Sequence, residues 1–181
     1  IQQALDHQVA IYTVHTNLDR IEDGVNDVLA SRIGLRNTTP LSMDEISGRP
    51  GFGRMGNLPQ PKPLGLLAKN IKQALNLGHV RVVGNLDMIV KTAAVCSGSG
   101  SSMVGAFFDS GADVFISGDL KYHDARHIEF AQKALIDVGH FASEHLIVET
   151  FAERLKHHFD DKGLALTVTP YTFEKDPFVI I

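Results

Sequence analysis

TAAVCSGSGSSMVGAFFDSGADVFISGDLKYHDARHIEFAQKALIDVGHFASE, residues 92–144, carries the pattern that decides the fold. Thr92-Ala93-Ala94-Val95-Cys96 is a β-prone run, followed by a Gly/Ser loop and a helical stretch near 101–110. Asp113-Val114-Phe115-Ile116 repeats the run, with a loop at Gly118-Asp119 and a helix near 122–133. Ala134-Leu135-Ile136-Asp137-Val138 repeats it again, with a loop at Gly139-His140 and a helix near 144–160 striped by Leu146, Phe151, Leu155 and Phe159. Continuous apolar runs mark strands buried on both faces. Strand, short loop and helix three times over means right-handed βαβ crossovers and a largely parallel sheet.

Upstream, His79 to Val83 reads as a strand, and Leu64, Leu67, Ile71 and Leu75 follow helical spacing in a helix ended by Gly78. Residues 36–63 hold most of the prolines and are expected to be the least regular stretch. A helix near 24–33 closes at Gly34, a C′ glycine. Val9-Ala10-Ile11-Tyr12-Thr13-Val14 reads as a further buried strand, residues 1–8 as the end of a helix, and Leu164 to Val168 as the strand closing the series.

The 181 residues suit one large domain or two small lobes with a substantial core. No apolar run is long enough for a membrane span, and no apolar, positively flanked start suggests a secretory signal. One Cys excludes an internal disulfide framework and a Cys-rich zinc site. With 17 Lys+Arg against 21 Asp+Glu and no basic cluster, the chain is a poor candidate for binding nucleic acid.

Loops after the strands of such a sheet share one edge, and ligands bind there. The loops at 15–19, 97–101, 117–123 and 139–144 are therefore expected to converge. In His140-Phe141-Ala142-Ser143-Glu144, Ser143 or a neighbour can cap the helix, with Glu144 favoured in its first turn. Alternatively His140 and Glu144, four residues apart, form a metal pair. His15-Thr16-Asn17-Leu18-Asp19 is either a turn bonded to its own backbone or a source of a metal ligand, Asp19, with His15 as a nearby acid/base group. Gly98-Ser99-Gly100-Ser101-Ser102 lacks both phosphate-loop and dinucleotide fingerprints and is either a tight turn or an anion contact. Asp119 can cap the following helix, while Lys121 and His123 can face a substrate. His123-Asp124-Ala125-Arg126-His127 mimics a zincin helix, but Asp replaces the required Glu. His157-His158 reads as a solvated face, and Cys96 as an inert core thiol.

Six segments, in order, together resemble one family: Val9 to Asp19, Gly24 to Asp27, Gly53 to Gly56, Ala94 to Ser102, Gly118 to Asp124 and Asp137 to Glu144. The chain resembles the NIF-three-like proteins (NGG-one-interacting factor three), whose bacterial members are often labelled GTP cyclohydrolase 1 type 2 homologues. The resemblance implies an α/β fold of two related lobes, with mostly parallel strands, helices outside and a metal cleft between the lobes. It implies a dinuclear divalent-metal centre, zinc first with manganese or iron as alternatives, in a cytoplasmic, ring-shaped homohexamer. Carried over, the metal ligands are Asp19, His140 and Glu144, with His15 and His123 lining the same cleft in proton-moving roles. The family's paired His-His has no counterpart upstream of Val9, where His7 stands alone; three of five ligands are present. With Ile1 in place of Met, the chain is expected to lack its N-terminal segment. Residues 1–35 would then be the remainder of an N-terminal lobe, 36–63 an inter-lobe connection and 64–181 the C-terminal lobe. The activity implied is metal-dependent hydrolysis of a purine nucleotide; the alternative is a non-enzymatic metal-binding regulatory or scaffolding ring.

Overall fold

The computed structural model describes residues 1–43, 48 and 50–179. Residues 44–47 and 49 of the expected 36–63 connection, and the last two of the 64–181 segment, lie outside the described residues. In chain order the elements are α1 (Gln2–Asp6), α2 (Thr16–Arg20), α3 (Val25–Arg32), β1 (Arg36–Pro40), β2 (Arg54–Pro63), α4 (Leu64–Ala74), β3 (Arg81–Val83) and β4 (Ile89–Ser99). A 3-10 turn at Ser101–Met103 leads into α5 (Val104–Ser110), then β5 (Val114–Gly118), α6 (Tyr122–Phe130), β6 (Ala134–Asp137), α7 (His140–Glu144) and α8 (Ile147–Asp161).

The six strands form one sheet in the order β1-β2-β4-β5-β6-β3. Its centre, β4-β5-β6, is parallel, with Val95 opposite Ile116 and Ile116 opposite Ile136. The flanks are antiparallel: β2 on β4 and β1 on β2 at one side, β3 on β6 at the other. This is the mixed α/β architecture expected from residues 92–144, because crossover helices force the three central strands to run the same way.

Alternating side chains divide the core between the two faces. Val95, Val114, Ile116 and Ile136 pack with Leu29 of α3 and Leu64, Leu67 and Ile71 of α4. Ala94, Cys96, Phe115 and Leu135 face the other way, against Phe107 of α5 and Ile128 of α6. Phe107 stacks on Phe115 at 5.3 Å between ring centroids. Asp113 fastens the start of β5 to β4, accepting from the backbone amides of Lys91 and Thr92 and from the Thr92 hydroxyl. Burial pushes that carboxyl upward, but the three donors outweigh it and hold it below the usual carboxylate range.

Five expectations need correction. Residues 9–15 carry no strand; Ile11 and Tyr12 are exposed, as is Val9. Residues 164–168 likewise form no strand, and Leu164 and Leu166 are exposed. Both stretches have β-prone side chains, but no ladder among the described residues offers their backbone groups a partner. Conversely, the proline-rich 36–63 stretch holds β1 and β2. Proline cannot donate to a ladder, yet Pro59 and Pro61 fall where the β2–β4 register shifts between Asn57 and Lys62, so few ladder bonds are lost. Finally, the 79–83 strand shrinks to β3 and runs antiparallel, and the helix near 144–160 is two helices, α7 and α8. Gly34, at φ +83°, closes α3 as its C′ glycine. Among the described residues no helix is long and apolar enough to cross a membrane.

Candidate functional site

The loops at the C-terminal ends of β4, β5 and β6 meet, as the βαβ pattern requires. Two consecutive amides at the end of β4 act as the ruler. Ser97 N–H donates to Oδ1 of Asn26 at 2.8 Å, and the Asn26 side-chain amide donates to the Asp19 carbonyl at 3.0 Å. Gly98 N–H donates to Ser143 Oγ at 2.8 Å, and that hydroxyl donates to the His140 carbonyl at 2.8 Å. Asn26 and Ser143 are both fully buried. Adjacent residues of one strand therefore hold the Asp19 segment on one side and α7 on the other. Ser143 caps nothing; its hydroxyl ties α7 to β4.

Glycine makes this approach possible at two points. Gly98 sits at φ +65°, and a Cβ there would lie 2.2 Å from Glu144 Oε1 and 3.3 Å from His140 Nε2. A Cβ on Gly118, at the end of β5, would lie 2.5 Å from the His140 backbone nitrogen. At Gly118 any larger residue would push the start of α7 off the strand end, and at Gly98 it would displace the Glu144 carboxylate.

His140 is held from both sides. Its Nδ1 lies 2.7 Å from Asp119 Oδ2, and its Nε2 lies 3.2 Å from Glu144 Oε2, one helical turn on. The Asp119 hydrogen bond, joined by the Glu144 charge, raises the His140 pKa against the opposing effect of burial. Asp19 belongs to the same electrostatic unit. Burial and then the Glu144 carboxylate raise its pKa, while His15, Arg20 and His140 oppose the rise. Cys96 lies beneath the site; burial, followed by the charges of Asp19 and Glu144, pushes its thiol up to about 12, which leaves it an inert thiol.

Asp19, His140 and Glu144 are thus brought to one end of the sheet, and His15, exposed at the start of α2, acts on Asp19. The Asn17 side chain accepts from the His15 amide at 2.8 Å, so the loop is also a self-bonded turn. His123 is exposed on α6, its ring edge-on to Tyr122, and no bond among the described residues joins it to the cluster. The expected capping role of Asp119 belongs to Asp124, which accepts from the Lys121 amide at 3.1 Å and the Ser101 hydroxyl at 2.6 Å. Sequence reading missed Asn26, whose role depends on a strand 71 residues away. It also missed the Asp119–His140 pair, which the shared position after neighbouring strands could have suggested.

The donor set is one imidazole nitrogen and two carboxylates, which suits a divalent cation of borderline or hard character. Gly98 keeps the space around Nε2 and Oε1 open, and the carboxylate on Nδ1 turns Nε2 toward it. The fit extends to the His140–Glu144 pair with Asp19 as neighbour. Among the described residues no group of three His, Cys, Asp or Glu side chains stands close enough to enclose an ion by itself.

The Duf34/NIF3 (NGG1p interacting factor 3) family model matches residues 1–177. This chain belongs to that family. It is 34% identical over 178 residues to a Streptococcus pneumoniae protein named GTP cyclohydrolase 1 type 2 homolog, covering 96% of this chain and 66% of that one. A Clostridium perfringens protein of the same name is 28% identical, again covering 66% of its length. The chain therefore spans just under two thirds of the length of these curated relatives. Among solved structures, a Bacillus cereus protein related to NIF3 superposes with a TM-score of 0.92 at 22% identity, covering all of this chain and 76% of that one. A Staphylococcus aureus hypothetical protein superposes at 0.91 with 27% identity, covering all of this chain and 72% of that one. The fold is that of NIF3 proteins.

Proposed function

We propose that this NIF3-family chain contributes a divalent-metal site, held by Asp19, His140 and Glu144, to a metal-dependent hydrolase of purine-nucleotide type. The observation that carries this reading is His140, fixed by Asp119 on one nitrogen and facing Glu144 with the other. The name GTP cyclohydrolase 1 type 2 homolog, borne by the relatives, supports the substrate class. A bound divalent cation supplies positive charge that polarises an attacked centre and activates water. The protein's own share is to orient His140, to set Glu144 and Asp19 on one side of it, and to move a proton at His15, which is exposed at the mouth. His123, exposed on α6, is the alternative proton carrier.

The alternative reading is a non-enzymatic, metal-binding regulatory or scaffolding protein. The test is turnover of GTP and simple phosphoesters by the full-length protein with added zinc or manganese. Turnover that disappears in Glu144→Ala supports the hydrolase. Metal binding by the wild type with no turnover of any nucleotide supports the scaffold.

A further inference from the structure

Asp119 is a non-glycine residue at φ +50°, a left-handed conformation that aspartate tolerates better than most residues. It follows Gly118, whose missing side chain lets the end of β5 touch the start of α7. The turn aims the carboxylate at His140 and away from α6, whose first turn is closed by Asp124. A carboxylate only accepts, and each ring nitrogen of His140 faces one, Nδ1 at 2.7 Å from Asp119 and Nε2 at 3.2 Å from Glu144; in the neutral ring the single proton goes to the shorter contact, on Nδ1, and Nε2 is left to face Glu144. Both side chains are about half exposed, 47% for His140 and 53% for Asp119, so the contact contributes little to holding the fold together. Its consequence is orientation.

We propose that Asp119 is a positioning residue that selects the Nδ1–H tautomer of His140 and presents Nε2 to the space shared with Glu144. The inference rests on the metal reading of that space for its purpose, but not for its geometry. A carboxylate on the outer nitrogen of a ligating histidine fixes the ring and strengthens its basicity, and loss of such a partner weakens metal binding by about 10–100-fold.

Two measurements test it on the full-length protein. The first is the long-range proton–nitrogen spectrum of the His140 ring in metal-free protein, at a pH where the ring is neutral. The Nδ1–H form is expected in the wild type, and the Nε2–H form, which free histidine prefers, in Asp119→Ala. A wild-type ring in the Nε2–H form, or a ring unchanged in Asp119→Ala, overturns the proposal. The second is zinc affinity by competition with a chelator. Asp119→Ala is expected to bind about 10–100-fold more weakly. Asp119→Asn, which keeps an acceptor oxygen, is expected to recover most of the loss. Equal losses in Ala and Asn would make Asp119 a direct ligand and overturn the positioning role, as would an unchanged affinity in Asp119→Ala. A wild type that binds no zinc while keeping the Nδ1–H ring overturns the metal reading and supports the orientation.

Discussion

The central strands β4 and β5 and the stretch from Val9 to Val14 are built from the same residue types and lie in opposite environments. Val95 and Ile116 are fully buried, whereas Ile11 is 70% and Tyr12 87% exposed. The difference lies in the neighbours. β4 is bonded on one side to β2 and on the other to β5, and helices cover both faces. Val9 to Val14 has no ladder among the described residues. A β-prone run becomes a strand when other segments satisfy its backbone and cover its side chains, not on its own account. The candidate site spans this divide. His140 and Glu144 grow out of the paired sheet, while Asp19 follows the unpaired stretch and is tied to β4 through Asn26.

The largest expected effect tests the buried half. Ile116→Ala should cost about 2–5 kcal/mol in chemical denaturation, because the side chain is enclosed between α3, α4 and the neighbouring strands. Gly98→Ala should cost about 1–3 kcal/mol, from its positive φ and the 2.2 Å approach of its new Cβ to Glu144 Oε1, and should weaken metal binding as well. Asn26→Ala should cost about 1–2 kcal/mol by leaving the buried Ser97 amide unpaired, and should loosen Asp19 while leaving the His140–Asp119 contact in place. That split, read by chemical shifts at the two ends of the site, would sharpen the contrast between them.

Asp113 gives a pH dependence. Its folded pKa lies below the unfolded value, so its contribution is fully present above about pH 4 and is lost as pH falls through the folded pKa. Asp113→Asn should remove that part of the acid destabilisation, measured as the midpoint of denaturation between pH 6 and pH 3. The smallest effect is expected at Ile11→Ala, within about 0.5 kcal/mol. A larger loss there would break the contrast, since it would mean that the stretch is covered.

The central parallel sheet was legible in the sequence because three apolar runs, each followed by a short loop and a helix, leave few other topologies. His140, Glu144 and Asp19 were legible for the same reason, as polar residues at strand ends. The strands in 36–63 were hidden by prolines, of which Pro59 and Pro61 fall in a register shift and Pro40 and Pro63 end their strands. The stretches at 9–14 and 164–168 misled because propensity is local while pairing is not. Asn26 and Ser143 were hidden because nothing in their own segments shows that they bond adjacent amides of β4.

The central claim is that His140 and Glu144 hold a divalent cation with Asp19 beside them. Anomalous scattering from crystals of the protein soaked in zinc tests it most directly. We expect a peak between His140 Nε2 and the Glu144 carboxylate, lost in Glu144→Gln. Zinc bound elsewhere, or a peak that survives loss of both side chains in the His140→Ala, Glu144→Gln double variant, would contradict it.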